Sequence, residues 1–328
     1  MAAGQKLLSF LLFQLILVLL VLDLSNAEGL KLGYYYKTCP KAESIIRKTT
    51  YRFISRAPTL AAPLLRMHFH DCFVRGCDGS VLLNSTKNSQ SEKAAVPNLS
   101  LQGFHVIDAV KSAVEEACPG VVSCADTLAL VARDSVSMIY GPFWEVPLGR
   151  RDGRVSLLNE VFANLPSPFA NITTLKQMFA VKGLSLKDLA VLSGGHTIGT
   201  SHCNAFTNRL YNFTGKGDTD PSMDPNYIVK LKKKCKPADT TTLVEMDPGS
   251  FKNFDEDYFT LVAKRRGLFQ SDAALLNDKE TKAYVILQSS THGSTFGKDF
   301  AESMVKMGKV GVLTGHQGEI RKHCAVVN

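Results

Sequence analysis

The sequence predicts a mainly α-helical domain that disulfide bonds hold together. Apolar residues recur every three or four positions in one segment after another, whereas long runs of alternating apolar and polar residues, typical of β-strands, do not occur. Eight cysteines follow an N-terminal apolar leader, the even number expected for four disulfides in an exported protein. A chain of 328 residues with 45% apolar content is long enough to bury one large core.

The leader has the composition of a secretory signal peptide. Lys6 gives it a basic start, residues 7–22 are almost wholly apolar, and residues 25–27 read Ser-Asn-Ala, small residues that suit cleavage. The apolar run is short for a membrane anchor. We therefore expect residues 1–27 to be a signal peptide and residues 28–328 to form the exported domain.

Seven segments have the spacing of amphipathic helices. In one of them, Phe104, Ile107 and Val110 would lie on the same face. The predicted helices are 41–55, 103–117, 122–135, 172–180, 185–193, 255–265 and 299–307. Clusters of Asn, Gly, Pro and Asp predict turns at 84–98, 140–153 and 214–226.

Residues 66–80 say most about function and read Arg-Met-His-Phe-His-Asp-Cys-Phe-Val-Arg-Gly-Cys-Asp-Gly-Ser. If the segment begins as a helix, Arg66 and His70 stand four residues apart and point the same way, whereas His68 points elsewhere. A proton acceptor beside a permanent positive charge suits general acid–base chemistry on a small polar substrate.

The same segment contains candidate metal ligands. Asp71, Asp78 and Ser80 carry oxygen atoms in a glycine-rich turn that a short Cys72–Cys77 bond would pin, and such atoms suit a hard cation such as Ca²⁺. Two histidines beside cysteine could alternatively form a zinc site. Zinc is disfavoured because exported cysteines are expected to be oxidised and because the two histidines diverge on a helix.

A second histidine stands among glycines in residues 192–199, which read Leu-Ser-Gly-Gly-His-Thr-Ile-Gly. The glycines around His196 clear space for something flat and bulky to approach the backbone. Taken alone, His196 is also compatible with an ordinary core or loop position.

Six motifs in order, together with the eight cysteines, resemble those of the secretory plant peroxidases, the class III haem peroxidase family. The motifs lie at 36–40, 66–80, 118–126, 147–153, 192–199 and 267–272. The resemblance covers essentially the whole chain after the leader. It implies a helical globule with haem between a distal and a proximal half. It also implies reduction of hydrogen peroxide and one-electron oxidation of phenolic or similar small reductants, in the cell wall or extracellular space.

The resemblance assigns roles around haem b. His196 would be the proximal ligand of the iron, and Asp272 would accept its other ring N–H. His70 would be the distal base, with its Nδ1–H held by Asn98 so that Nε2 is free to take a proton. His70 would move a proton from the inner to the outer oxygen of peroxide, and Arg66 would stabilise the charge that develops as the O–O bond splits.

The same resemblance implies a rim for reducing substrates. Pro166, Pro168 and Phe169 would form this proline-rich rim, and Phe69 would shield the haem face. Ala205 stands where some relatives have phenylalanine, which leaves the preference among aromatic donors open.

Two Ca²⁺ ions and a disulfide pairing are implied as well. The distal Ca²⁺ would be held by side chains of Asp71, Asp78 and Ser80 and by backbone oxygens of Asp71, Val74 and Gly76. The proximal Ca²⁺ would be held by Thr197, Asp247, Ser250 and Asp255 and by the carbonyl of Asn253. The cysteine pairs would be Cys39–Cys118, Cys72–Cys77, Cys124–Cys324 and Cys203–Cys235.

The net charge is +8, and five lysines surround Cys235 at positions 230, 232, 233, 234 and 236. Such a run is usually a solvated face, and its functional interpretation is attraction to an acidic wall polysaccharide. Nucleic acid is not an expected partner, because the chain is exported and lacks interleaved basic and aromatic residues. We expect a monomer.

Two other classes of function make different demands on these residues. A secreted zinc hydrolase would give no role to Arg66 or to the glycines around His196. A wall-binding protein that had lost its chemistry would be expected to lack one of His70, Arg66, His196 or Asp272, and all four are present.

Asn-x-Ser/Thr sequences make Asn84, Asn98, Asn171 and Asn212 candidates for glycosylation. For Asn98 this conflicts with the role of holding His70, because a glycan would occupy its amide nitrogen.

Overall fold

Helices dominate residues 29–328, which a computed structural model describes; the predicted signal peptide at 1–27 lies outside them. The α-helices are α1 (Ala42–Ile54), α2 (Ala61–Val74), α3 (Phe104–Ala117), α4 (Cys124–Ser137), α5 (Leu158–Asn164), α6 (Ile172–Ala180), α7 (Leu186–Ser193), α8 (Thr207–Tyr211), α9 (Pro225–Lys234), α10 (Asp257–Ala263), α11 (Gln270–Ala274), α12 (Lys279–Thr291) and α13 (Phe296–Met307). Two short strands, β1 (Thr200–His202) and β2 (Leu243–Glu245), pair antiparallel. None of the helices in residues 29–328 has the length and hydropathy needed to cross a bilayer.

Every helix predicted from apolar spacing is present, with bounds that differ by a few residues. The segment predicted at 185–193 begins at Leu186 because Ser185 caps it. The Ser185 hydroxyl accepts a hydrogen bond from the Asp188 amide at 3.1 Å, and the Asp188 carboxylate accepts one from the Ser185 amide at 2.9 Å.

Helix α2 contains the start of the 66–80 segment, where a helix was considered from the sequence but not included among the seven predicted. Five further helices were not predicted, namely α5, α8, α9, α11 and α12. The longest, α12, buries Thr281, Tyr284, Val285 and Gln288. Two of these four residues are polar, so the apolar spacing that marks a buried helix face is missing from the sequence. The turn predicted at 214–226 ends earlier than expected, because Asp224 caps α9 and Pro225 is its first residue.

The helices form two groups that share one core. Helices α1 to α4 pack against one another in the first half of the chain, and α7, α10, α12 and α13 pack together in the second. A single apolar cluster runs through both groups. His70 lies on α2 of the first group, and His196 lies just after α7 of the second.

One glycine, Gly199, lets the segment that carries His196 approach α2 closely. A Cβ atom on Gly199 would lie 2.7 Å from the Cβ of Ala62, and Gly199 also has a left-handed φ of +92°. A Cβ atom on Gly195 would contact Leu65 at 3.6 Å. The segment that carries His196 therefore lies against the helix that bears Arg66 and His70.

The β1–β2 pair brings distant acidic residues beside His196. Thr200 pairs with Glu245, and the Met246 amide donates to the Gly199 carbonyl at 3.0 Å. Asp247 consequently follows β2 directly to the neighbourhood of Thr197.

The structure contains the four disulfides that the resemblance implies, Cys39–Cys118, Cys72–Cys77, Cys124–Cys324 and Cys203–Cys235. The longest closes a loop of 200 residues. In the chain-entropy description a loop of this size is worth about 5 kcal/mol through its effect on the unfolded state.

Candidate active site

His70 is held on α2 by an amide whose orientation is fixed. The Asn98 amide nitrogen donates to the Glu92 carbonyl at 2.8 Å, so the Asn98 oxygen faces the imidazole. That oxygen lies 2.5 Å from His70 Nδ1. An amide oxygen can only accept, so Nδ1 carries the proton and Nε2 keeps its lone pair.

The surroundings of His70 keep the ring neutral. Burial, followed by the positive charge of Arg66, holds the pKa of His70 well below its usual range, while the bond to Asn98 opposes the shift. Among residues 29–328 no hydrogen-bond partner engages Nε2. The ring can therefore accept a proton at neutral pH.

Arg66 is fixed by the same loop that holds His70. Its guanidinium donates to the Pro97 carbonyl at 2.7 Å and to the Ser100 hydroxyl at 3.0 Å, on either side of Asn98. Burial lowers the pKa of Arg66 to about 10, so the side chain stays charged at neutral pH. One short loop thus positions both the base and the cation.

His196 is held in the same manner by a carboxylate. Its Nδ1 lies 2.8 Å from Oδ1 of Asp272, and the Phe269 amide donates to Oδ2 of Asp272 at 2.8 Å. The Asp272 side chain is 1% exposed, whereas the His196 side chain is 39% exposed. The imidazole therefore presents its free Nε2 to an open space while its other nitrogen is anchored.

A buried ion pair supports the turn before Asp272. Arg209 and Asp220 are fully enclosed and 2.7 Å apart, and Arg209 Nη1 also donates to the carbonyls of residues 267, 268 and 269. On the other side, the Ser271 amide donates to the Pro168 carbonyl at 3.0 Å. A hydrogen bond therefore connects the predicted substrate rim, at Pro168, to Ser271, the residue before Asp272.

The remaining predicted haem-side residues lie near these centres. The Phe69 ring is 5.7 Å from the His70 ring and 4.4 Å from the Phe73 ring. Pro166, Pro168 and Phe169 occupy the loop between α5 and α6, and Phe169 is exposed.

The predicted distal cation site is a buried set of oxygen atoms. The amides of Gly79 and Val81 donate to the Asp71 carboxylate, and the Ser80 amide donates to Asp78. The Ser80 hydroxyl is buried and has no hydrogen-bond partner among the described residues. Burial raises the pKa of Asp71 and of Asp78, and the negative charge of Asp78 raises that of Asp71 further. Such a set fits a bound divalent cation.

The two backbone ligands predicted there are also at this end of α2. Val74 is its last residue, and the Gly76 carbonyl accepts from the Asp78 amide at 2.8 Å. The Val74 carbonyl lies 3.5 Å from the ammonium of Lys182.

Glu92 links this cation site to His70, and it was not predicted from the sequence. It is fully buried, and burial raises its pKa to about 7. Its carbonyl holds Asn98, and its Oε2 has no partner among the described residues. The negative charge of Asp78, in the cation site, raises the pKa of Glu92 further. Glu92 lies in the predicted 84–98 turn, where an isolated acid looks like an ordinary loop residue.

The predicted proximal cation ligands meet beside His196. Thr197 Oγ1 donates to Asp255 at 2.8 Å and lies 3.4 Å from Asp247, and the Ser250 hydroxyl donates to Asp255. Burial and then the charges of Asp255 and Asp257 raise the pKa of Asp247 to about 7. Asp257, which was not predicted, completes a group of three carboxylates whose oxygens lie within 4.8 Å of one another.

Asn253 is near the same group through its backbone. Its amide donates to the Ser250 carbonyl at 2.8 Å, which closes the turn that leads to Asp255.

The disulfide bond of Cys72 argues against the zinc site that was considered as an alternative. His68, Asp71 and Cys72 do lie together, but Cys72 is bonded to Cys77 and cannot act as a thiolate ligand. Burial and the charge of Arg150 lower the pKa of His68 to about 3, and its ring faces Cys72 rather than Asn98.

A mainly helical domain with two such histidine centres defines the class of haem peroxidases. Comparison with known proteins leads to the same class: the model of the family described as "Peroxidase" matches residues 46–290. The chain is 64% identical to "Peroxidase 27" of Arabidopsis thaliana and 59% identical to "Peroxidase 56" of the same plant, each over the full length of both chains. It is 60% identical to "Peroxidase 1" of Oryza sativa subsp. japonica over 93% of this chain and 95% of that one.

The chain therefore belongs to the peroxidase family. It is a plant class III haem peroxidase that acts on hydrogen peroxide and draws electrons from reducing substrates.

Glycosylation should distinguish Asn98 from the other three Asn-x-Ser/Thr sites. Asn84, Asn171 and Asn212 are exposed, whereas Asn98 is 2% exposed and its amide nitrogen is already bonded. Glycopeptide mapping of the active secreted protein should find sugar at some of the three exposed sites and none at Asn98. Substantial occupancy of Asn98 in active enzyme would contradict its place beside His70.

Proposed function

We propose that His70 and Arg66 carry out the proton transfer and charge stabilisation of peroxide cleavage, and that His196 ligates the iron of haem b. The observation that carries this proposal is shared by both histidines. Each has Nδ1 committed to a fixed acceptor, Asn98 or Asp272, and a free Nε2. Nε2 of His70 is thereby available for a proton, and Nε2 of His196 is available for a metal.

The residues present fit a haem group. The Nε2 of His196 would suit a haem iron as a ligand, and the His196 side chain is partly exposed. When bound, haem supplies a Lewis-acidic iron for peroxide and the redox equivalents that are later returned by reductants. Asp272 holds the proton on Nδ1 and makes His196 a stronger electron donor.

The chain's own residues then handle the proton and the charge. His70 Nε2 would accept a proton from one oxygen of peroxide and deliver it to the other oxygen, which would leave as water. The guanidinium of Arg66 stabilises the negative charge that develops while the O–O bond breaks. The low pKa of His70 keeps it in the accepting form before peroxide arrives.

Replacing His70 tests this assignment. His70→Leu should still bind haem, seen as a Soret band, because His196 is unchanged. Its reaction with peroxide should slow by about 10²–10⁴-fold or more, since one positioned acid–base group is typically worth that factor. His316→Leu, at an exposed histidine, is the matched control and should react normally. Stopped-flow measurement showing a near-normal rate in His70→Leu would remove His70 from the mechanism.

We also propose that two Ca²⁺ ions brace the haem pocket. The distal set contains a buried hydroxyl without a partner and two buried carboxylates, and the proximal set contains three neighbouring carboxylates. The proposed ligands Asp71 and Thr197 immediately follow His70 and His196 in the sequence. An ion at either site would therefore fix the backbone of a functional histidine.

Removing Ca²⁺ should lower activity and melting temperature together, and more strongly at higher pH. In the ion-free protein the pKa values of Asp247 and Glu92 are raised to about 7. An acid with a raised folded-state pKa destabilises the fold progressively as the pH rises from about 4 to that value. Calorimetry at pH 5 and pH 7.5, with Ca²⁺ and after chelation and desalting, should show the larger gap at pH 7.5.

The corresponding control is the measured calcium content. If calcium is removed and neither activity nor melting temperature changes, the ions do not brace the pocket. If the melting temperature falls by the same amount at both pH values, the ions brace the pocket but do not act by offsetting the charges of Asp247 and Glu92.

The reducing substrates that fit the proposed rim are small phenols or similar compounds. The predicted rim is an apolar, partly exposed surface formed by Pro166, Pro168 and Phe169. The Pro168 carbonyl accepts a hydrogen bond from the amide of Ser271, the residue before Asp272. A flat aromatic donor can pack on such a surface without a charged anchor.

We propose that the protein acts outside the cell as a monomer and associates with acidic wall polysaccharide. All eight cysteines are paired within the chain, which suits an oxidising compartment and leaves none for bonds to a second subunit. Helix α9 presents the exposed Lys230, Lys233 and Lys234, for which residues 29–328 offer no ion-pair partner. Their attraction to a polyanion would be sensitive to salt.

Elution from immobilised polygalacturonate measures that attraction. Replacing Lys230, Lys233 and Lys234 by Ala should lower the salt concentration needed for elution. A control with Lys279, Lys282 and Lys298 replaced by Ala loses the same charge at other exposed positions. If both triple variants elute alike, the net charge alone is responsible and α9 is not a binding surface.

A further inference from the structure

The carboxylate beside His196 has a partner that the proposed roles do not use. Tyr258, the second residue of α10, is buried, and its hydroxyl lies 3.0 Å from Oδ1 of Asp272. His196 Nδ1 lies 2.8 Å from the same oxygen. The Phe269 amide binds the other oxygen, Oδ2. Two side chains therefore compete for Oδ1.

The direction of both hydrogen bonds is settled by the chemistry of the acceptor. An ionised carboxylate has no proton to donate, so the Tyr258 hydroxyl and the His196 Nδ1–H both donate to it. Burial, and then the negative charge of Asp272, raises the pKa of Tyr258 well above its usual value. The hydroxyl consequently keeps its proton throughout the physiological range.

We propose that Tyr258 is a positioning residue that limits how strongly Asp272 polarises His196, and so sets the reduction potential of the haem iron. This inference rests on the proposed roles of His196 and Asp272. A charge-assisted hydrogen bond withdraws negative charge from the oxygen that accepts it. With the Tyr258 hydroxyl in place, Oδ1 therefore attracts the Nδ1 proton less than a carboxylate bonded to His196 alone.

Loss of that hydroxyl has a predictable direction. Oδ1 would pull harder on the Nδ1 proton, and the His196 ring would gain imidazolate character. A more electron-rich axial ligand stabilises ferric relative to ferrous iron, so the reduction potential becomes more negative.

The packing of the ring allows the hydroxyl to be removed on its own. The Tyr258 ring meets the His196 ring edge to face at 5.9 Å and the Phe259 ring at 5.2 Å. Phenylalanine would keep both contacts. The Phe269 ring also contacts His196, at 5.1 Å, and is untouched by the substitution.

The experiment is a spectroelectrochemical titration of the haem-loaded Tyr258→Phe variant. The one-electron equilibrium should shift at least threefold toward ferric iron, which corresponds to a potential about 28 mV more negative. The iron–histidine stretching frequency of the ferrous form should rise in resonance Raman spectra. Tyr284→Phe is the matched control, because Tyr284 is also buried and its hydroxyl donates to a different carboxylate, Asp299, at 2.9 Å. Its potential should equal that of the wild type.

The Asp272→Asn variant separates this inference from the proposed function beneath it. If Asp272→Asn raises the potential and Tyr258→Phe leaves it unchanged, or only lowers the melting temperature, Tyr258 has a structural role and the inference is wrong. If Asp272→Asn leaves the potential unchanged, the proposed pairing of Asp272 with His196 is itself wrong. The effect of Tyr258→Phe should also vanish in the Asp272→Asn background, since the charge it modulates is gone.

Discussion

The arrangement around His70 and His196 depends on one constraint. The Nδ1 atom of each ring is hydrogen-bonded to an acceptor side chain whose orientation is fixed by a second hydrogen bond. Asn98 is locked by its bond to the Glu92 carbonyl, and Asp272 is locked by the Phe269 amide. Because the acceptors are fixed, both rings are held in one tautomer and one plane. The chemical difference between the two centres then comes from the acceptor, since a neutral amide leaves a ring that can exchange protons and a carboxylate makes a ring that donates electrons.

Buried carboxylates are a second feature that both histidine segments share. Acidic groups with raised pKa values lie next to both histidine segments, at Asp71 and Asp78 on one side and at Asp247 on the other. Buried charges without partners are unfavourable, so such groups persist where a cation or a function requires them. Asp71 directly follows His70 in the sequence, and Asp247 contacts Thr197, which follows His196. A cation or proton that neutralises these acids should therefore also stabilise the two histidine segments.

The sequence predicted those parts of the site that local geometry determines. The common direction of Arg66 and His70 follows from the helical repeat. The glycines around His196 were expected to leave open space, but Gly194 faces Phe296 and Gly199 faces Ala62, so they serve close packing instead. Asn98 and Asp272 could be assigned only through the family resemblance, because 28 residues separate Asn98 from His70 and 76 separate Asp272 from His196. Tyr258 is one aromatic residue in a predicted helix, and its contact with Asp272 arises only when α10 and α11 pack together. Helix α12 was missed for a related reason, since Thr281 and Gln288 are buried on the face that packs.

The Cys124–Cys324 bond turns residues 124–324 into a covalent ring that includes His196 and Asp272. During synthesis Cys124 cannot meet its partner until 200 further residues have been made. Its thiol must therefore stay clear of Cys118, six residues earlier, whose own partner Cys39 is already available. Once closed, the ring also confers resistance to proteases, because one cut in any loop between the two cysteines leaves both pieces attached and the haem-side residues in the same molecule.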